Sequence, residues 1–187
     1  GRYIAAHVSR TPSIRYYGVA LSEFLATDAG YQDAPVLAEL AAWEWAMTEV
    51  FDAADGSPIG AEALVCIAPE DWAELRFDFH PSVRRLELRW NVPPLWKALT
   101  ADEPRPEHEL AAEPQAWLQW RDGLQTLFRS LEADEAAALR VTMDGGSFGE
   151  LCLRLSKLLD DAQAPGRAAV HLRSWLDAGL VTGIRHS

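Results

Sequence analysis

Apolar residues recur at helical spacing twice within the first fifty positions. Ile14, Tyr17, Leu21, Phe24 and Leu25 form one stripe, and Leu37, Leu40, Trp43, Met47, Val50 and Phe51 form a second that runs to the breaker ADGSPIG. Thr11-Pro12 predicts a helix start, because threonine caps free amides and proline is preset for a first turn; Asp33 and Pro35 predict another. The two helices are expected to pack together, with Trp45 widening the apolar surface of the second. Residues 60 to 75 predict short helices, one opened by Pro69. From Arg76 to Trp90 the pattern becomes alternating, in RFDFH and VRRLELRW, which predicts extended chain on either side of His80-Pro81. PPLWKAL predicts a short helix. TADEPRPEHELAAEP, rich in proline and acid and lacking a buried-face pattern, predicts a surface linker.

Beyond the linker the pattern is sharper. In WLQWRDGLQTLFRS the Asp122-Gly123 pair predicts a tight hairpin turn, which sets Leu118 opposite Leu127 and Trp117 opposite Phe128. On that register Leu127 contributes a main-chain donor to the outer margin of the hairpin. Residues 133 to 143 predict an alanine-rich helix ended by Asp144-Gly145-Gly146. Ser147 and Glu150 then form a capping box ahead of a buried stripe of Phe148, Leu151, Cys152, Leu155, Leu158 and Leu159. A third helix is expected through AAVHLRSWLDAG, stopped by Gly179, with Leu180 folding back onto it. The fold class is therefore α+β: an N-terminal helical domain (1–75), an extended segment and linker (76–113), and a C-terminal winged-helix-like domain (114–187).

Composition narrows the function. The chain has 187 residues, 49% of them hydrophobic, which is ample for a core. No apolar run approaches the roughly 20 residues of a membrane span and no secretory pattern is visible, so a cytoplasmic setting is expected. The opening GRYIAAH reads as mid-helix, which suggests a natural beginning further upstream. A net charge of -11 opposes general attraction to phosphate backbones. Cys66 and Cys152 lie far apart without metal-site or disulfide spacing and are expected to be reduced and buried.

Catalytic motifs are missing: there is no Walker loop, GxGxxG, HExxH or GxSxG. Asp78 with His80 supplies two potential ligands where a metal site needs at least three. His7, His108, His171 and His186 are scattered, and Glu107 to Glu109 lie in the acidic linker. The chain is thus expected to be no enzyme by itself and to carry no cofactor or metal.

AAHVSRTPSIRYYGVALSEFL, WEWAMTEVFDAADGSPI, HPSVRRLELRWNVPPLW, and the final block from WLQW through LEADEAAAL, DGGSFGEL and WLDAGLV resemble, in this order, the HvfC and MbnC family. The resemblance covers most of the chain; longer family members carry further N-terminal helices before AAH, and the methanobactin branch is shorter. It implies a partner subunit of iron-containing enzymes of the MbnB, HvfB and TglH type. Those complexes modify cysteines of ribosomally made precursor peptides, in methanobactin biosynthesis to an oxazolone and neighbouring thioamide that chelate copper. The iron would belong to the other subunit, and this chain would support it and present the leader peptide.

A hairpin followed by three helices also resembles the peptide-recognition element of peptide-modifying systems, in which a leader adds a strand to the sheet margin and lies along the last helix. Strand addition suits a flexible peptide, since main-chain hydrogen bonds hold it while alternate side chains enter pockets. The expected peptide-binding residues are Leu124, Gln125, Thr126, Leu127, Phe128 and Arg129 on the hairpin, with His171, Arg173 and Trp175 on the third helix as the other wall. The expected enzyme interface is His80, Arg84, Arg85, Arg89, Trp90 and Trp96, where two tryptophans can act as anchors beside a basic patch. The competing reading is a winged-helix DNA-binding regulator, whose third helix would offer Arg167, Arg173 and His171 to the major groove, against Asp177.

Overall fold

The computed structural model describes residues 1–8 and 14–186, so the Thr11-Pro12 start lies outside the described residues. Its order is α1 (Arg2–Ala6), α2 (Leu21–Thr27), α3 (Val36–Asp52), β1 (Arg76–Phe79), β2 (Arg84–Trp90), α4 (Val92–Thr100), β3 (Leu110–Asp122), β4 (Gln125–Ser130), α5 (Ala133–Met143), α6 (Phe148–Leu155), α7 (Ala164–Asp177) and β5 (Val181–Arg185). The class is α+β, as the alternation of patterns predicts. One sheet is the pair β1-β5 and the other runs β2-β3-β4. No described helix is long and apolar enough to cross a membrane.

The chain forms two compact units, Gly1–Glu49 with Leu86–Gln115, and Val50–Arg85 with Ala116–Ser187. These differ from the expected divisions at 75 and 113. The reason is long-range pairing: β1 is antiparallel to β5, with Phe77 opposite Ile184, which draws residues 76–85 into the C-terminal unit. The linker also ends earlier than expected, because LAAEPQ, from Leu110, is already strand β3.

In the first unit, α3 buries Val36, Trp43 and Ala46, while Phe24 of α2 meets Tyr3, His7 and Tyr31 edge-on. Glu39 of α3 accepts hydrogen bonds from the backbone N–H groups of Arg89 (3.0 and 2.9 Å) and Trp90 (2.9 Å), capping the end of β2 with a carboxylate. Asn91 pins the acidic segment: its side chain donates to the Glu107 carbonyl and accepts from the Glu109 N–H.

The second unit carries the larger core, in which Leu75, Phe77, Leu118, Leu131, Leu139, Leu151, Leu172 and Trp175 are buried. Helix α5 has the expected bounds, and Gly145, at φ +85°, provides the left-handed residue that ends it. Ser147 and Glu150 form the reciprocal capping box. Helix α6 ends at Leu155, sooner than its apolar stripe predicts, and Leu158 is consequently half-exposed. Helix α7 begins earlier than expected, with Pro165 in its first turn. At its end Gly179 adopts φ +69° and the buried Leu180 donates to the Trp175 carbonyl at 2.9 Å, the expected glycine cap. Of the two thiols expected to be buried, Cys66 is exposed; Cys152 is half-buried, and burial pushes its pKa up.

The hairpin forms where Asp122-Gly123 predicts it, but in a register shifted by two. Asp122 pairs with Gln125, Trp120 with Leu127, Leu118 with Arg129 and Trp117 with Ser130. Gly123 alone takes positive φ (+57°), followed by Leu124, the pattern of a turn that carries glycine at its first central position. Asp122 therefore needs no left-handed backbone. A shift of two preserves the faces. Ala116, Leu118, Trp120 and Leu127 still line the core, and Trp117 still reaches Phe128, diagonally, at 6.3 Å between rings.

The opposite face of β3 contains Gln119, which is completely buried, and neither atom of its carboxamide is hydrogen-bonded among the described residues. A buried polar group without a partner costs roughly 1–3 kcal/mol. Gln119→Leu is expected to raise the stability of the fold by about 1 kcal/mol, measured as a shift of the urea midpoint at unchanged slope.

Candidate functional site

The clearest cluster of polar side chains joins the hairpin to the last helix of the second unit. Glu135 lies in the first turn of α5 and is buried. Its carboxylate accepts two hydrogen bonds from Arg129 of β4 (2.7 and 2.5 Å) and one from the Trp175 indole of α7 (3.0 Å). Burial pushes the Glu135 carboxyl up, but the hydrogen bonds from Arg129 and Trp175 together with the Arg129 charge outweigh it and hold the pKa below the ordinary value. Beside it Asp134 accepts from Arg167 (2.5 Å), from His171 (3.0 Å) and from the Glu135 N–H (2.9 Å). The Arg167 guanidinium is the largest influence in bringing the Asp134 pKa down to about 2. His171 also stacks on Trp175, with ring centroids 6.3 Å apart and planes inclined by 13°.

These bonds position the outer margin of β4. In the described sheet β4 pairs with β3 alone. Leu131 donates to the Ala116 carbonyl at 2.9 Å, and the antiparallel alternation then makes 118/129, 120/127 and 122/125 the other hydrogen-bonded pairs. Thr126, Phe128 and Ser130 consequently turn their backbone N–H and C=O groups outward. For Thr126 and Ser130, no other backbone segment among the described residues bonds to those groups. Leu127 is therefore not an edge donor, a correction to the expected register: its N–H faces β3.

The nominated peptide-binding residues separate accordingly. Leu124 sits at the turn, 82% exposed, and is not part of the strand. Gln125 begins β4, Leu127 packs partly into the core, Phe128 leans on Trp117, and Arg129 is committed to Glu135. His171 and Trp175 are buried and so support the wall of a groove without lining it. Arg173 is exposed and paired with Asp177 one turn on, at 2.9 Å. Arg129, His171 and Trp175 do come together, through Asp134 and Glu135. Both acids escaped sequence reasoning because two charges opening an alanine-rich helix look like an ordinary solvated N-terminus.

The nominated enzyme interface is divided between the units: His80, Arg84 and Arg85 belong to the second and Arg89, Trp90 and Trp96 to the first. His80 is a buried structural residue. Its Nε2 accepts from the Gly56 N–H at 3.1 Å, its Nδ1 lies 2.8 Å from the Ser82 hydroxyl, and burial followed by the Arg121 charge lowers its pKa. Arg84 donates to the carbonyls of Pro81 and Val83, Arg89 is exposed, and Trp90 and Trp96 are half-buried. Asp78 is paired with Arg185, so it does not share a ligand set with His80; among the described residues no group of three potential metal ligands gathers. No protein-family model and no curated protein matches the chain.

The low pKa of Asp134 has a consequence in acid. A carboxyl held at about 2 in the folded state, against an ordinary 3.8, contributes stability that is fully present above about pH 4 and is lost as pH falls towards 2. Asp134→Asn is expected to be less stable than the parent at neutral pH, with the difference shrinking as pH falls from about 4 and vanishing only below pH 2, in denaturant titrations at a series of pH values.

Proposed function

We propose that the chain is a non-catalytic, cytoplasmic partner subunit of an iron-dependent oxidase that modifies cysteines of a ribosomally synthesised precursor peptide, and that it binds and presents the leader of that peptide. The single observation that carries the peptide-binding part is the outer margin of β4. It offers the main-chain N–H and C=O of Thr126 and the N–H of Ser130, whose carbonyl takes a long hydrogen bond from Arg129 (3.4 Å), on a strand whose placement is held by buried bonds. The resemblance to the HvfC and MbnC family supports the enzyme partner, with the iron and the oxidation in that subunit.

A DNA-binding regulator is the weaker alternative. Of the cations on α7, Arg167 is paired with Asp134 and Arg173 with Asp177, and His171 is buried, which leaves little positive charge to neutralise phosphates.

Co-expression with the neighbouring iron enzyme, followed by size-exclusion chromatography, iron analysis and leader titration, tests both parts. One iron-containing complex is expected. Thr126→Pro removes an outward N–H at a strand margin that tolerates proline, and is expected to keep the complex but weaken leader binding at least tenfold. Leu127→Pro removes an inward N–H and is expected to unfold the hairpin. Separate elution of an enzyme that is fully active alone, or unchanged leader affinity in folded Thr126→Pro, would overturn the corresponding part.

A further inference from the structure

Two residues past the end of β4 an open cleft of about 650 Å³ begins, lined by Glu132, Asp134, Leu159, Arg167 and Val170 among others. Two residues of extended chain span roughly 7 Å, so a strand laid along β4 and continuing past Ser130 would bring a side chain to this cleft. Its charges are not balanced. Arg167 is already paired with Asp134, whereas the exposed Glu132 carboxylate has no hydrogen bond or ion pair among the described residues. Asp134 is satisfied by Arg167, His171 and the Glu135 N–H, so Glu132 is the carboxylate left over, in a chain whose net charge is -11. Apolar surface is present as well, from the half-buried Leu159 and from Val170, which is 57% exposed.

We infer that this cleft selects a lysine or arginine side chain of the bound peptide, an inference that rests on strand addition at β4. A long basic side chain meets both features at once: its methylene stem covers Leu159 and Val170, and its cationic head reaches Glu132. An acidic side chain would meet two carboxylates, and a short apolar one would leave Glu132 without a partner. The acidic surface also speeds the approach of a cationic peptide, and this part of the attraction weakens with salt. Arg129 is bound to Glu135, and Arg167 already occupies Asp134, which leaves Glu132 as the carboxylate for an incoming cation.

The test is selection of a phage-displayed library of random 12-residue peptides against the purified protein, then titration of the most enriched peptide as a synthetic molecule. The expected result is enrichment of Lys or Arg at one position beside an alternating strand-like pattern. A twin peptide with norleucine at that position is expected to bind more weakly. Glu132→Lys, a change at an exposed and unpaired side chain, is expected to weaken the basic peptide about tenfold and leave the norleucine twin unchanged. Peptides that lose affinity on Thr126→Pro but show no basic preference, or lose equally with and without the cation on Glu132→Lys, would overturn the cleft assignment while leaving strand addition in place. Failure to select any peptide, or selected peptides that bind folded Thr126→Pro as tightly as the parent, would overturn strand addition and the cleft assignment with it.

Discussion

A buried carboxylate cannot be left alone in a protein interior: unpaired, it would take up a proton or force the surrounding structure open. Glu135 avoids both outcomes by taking three hydrogen bonds from two elements distant in the chain, Arg129 on β4 and Trp175 on α7. That requirement ties the hairpin to the last helix and sets which way β4 presents its outer margin. Asp134, one residue earlier, adds a second layer through Arg167 and His171. The buried ring of Trp175 is thereby fixed by packing on one side and by a hydrogen bond on the other. Removing the Glu135 carboxylate would leave the buried Trp175 indole N–H and the Arg129 guanidinium without their shared partner, so these groups are expected to act as a unit and not additively.

An exposed strand margin is a hazard as well as an opportunity, since it accepts any passing backbone. β4 is six residues long and carries one clamped arginine, and the body around it is acidic. Short length and like charge between copies both oppose self-association. The same acidity would favour a cationic peptide. In the first unit, Glu39 satisfies the backbone donors of Arg89 and Trp90 at the end of β2.

A peptide-presenting role also accounts for how little conventional chemistry the chain offers. His80, two residues from Asp78, serves to hold Gly56 and Ser82, where a side chain at Gly56 would meet its ring at 2.8 Å. Reactive steps, on the proposed reading, belong to the partner, and the work of this chain is selection and placement. Presentation as a strand makes the sequence of the leader matter at alternate positions only.

What the sequence by itself determined were the features whose cause is local. The bounds of α5, the Ser147–Glu150 capping box, the glycine cap at Gly179 and the presence of a hairpin near Asp122-Gly123 all follow from side chains acting within a few residues of one another. Hairpin register was missed by two because either the Asp-Gly pair or Gly123 with Leu124 makes a sound tight turn, and both registers put Leu118, Trp120 and Leu127 on the same face. The end of α6 moved as well: an apolar stripe continues through Leu158, but the chain turns at Ser156. Tertiary structure alone decided the pairing of β1 with β5, the interleaved units, and the roles of Asp134 and Glu135. Apart from Arg129, six residues before Glu135, the partners concerned lie between about 30 and 110 residues away, and no local pattern encodes which distant group will meet a given carboxylate or strand.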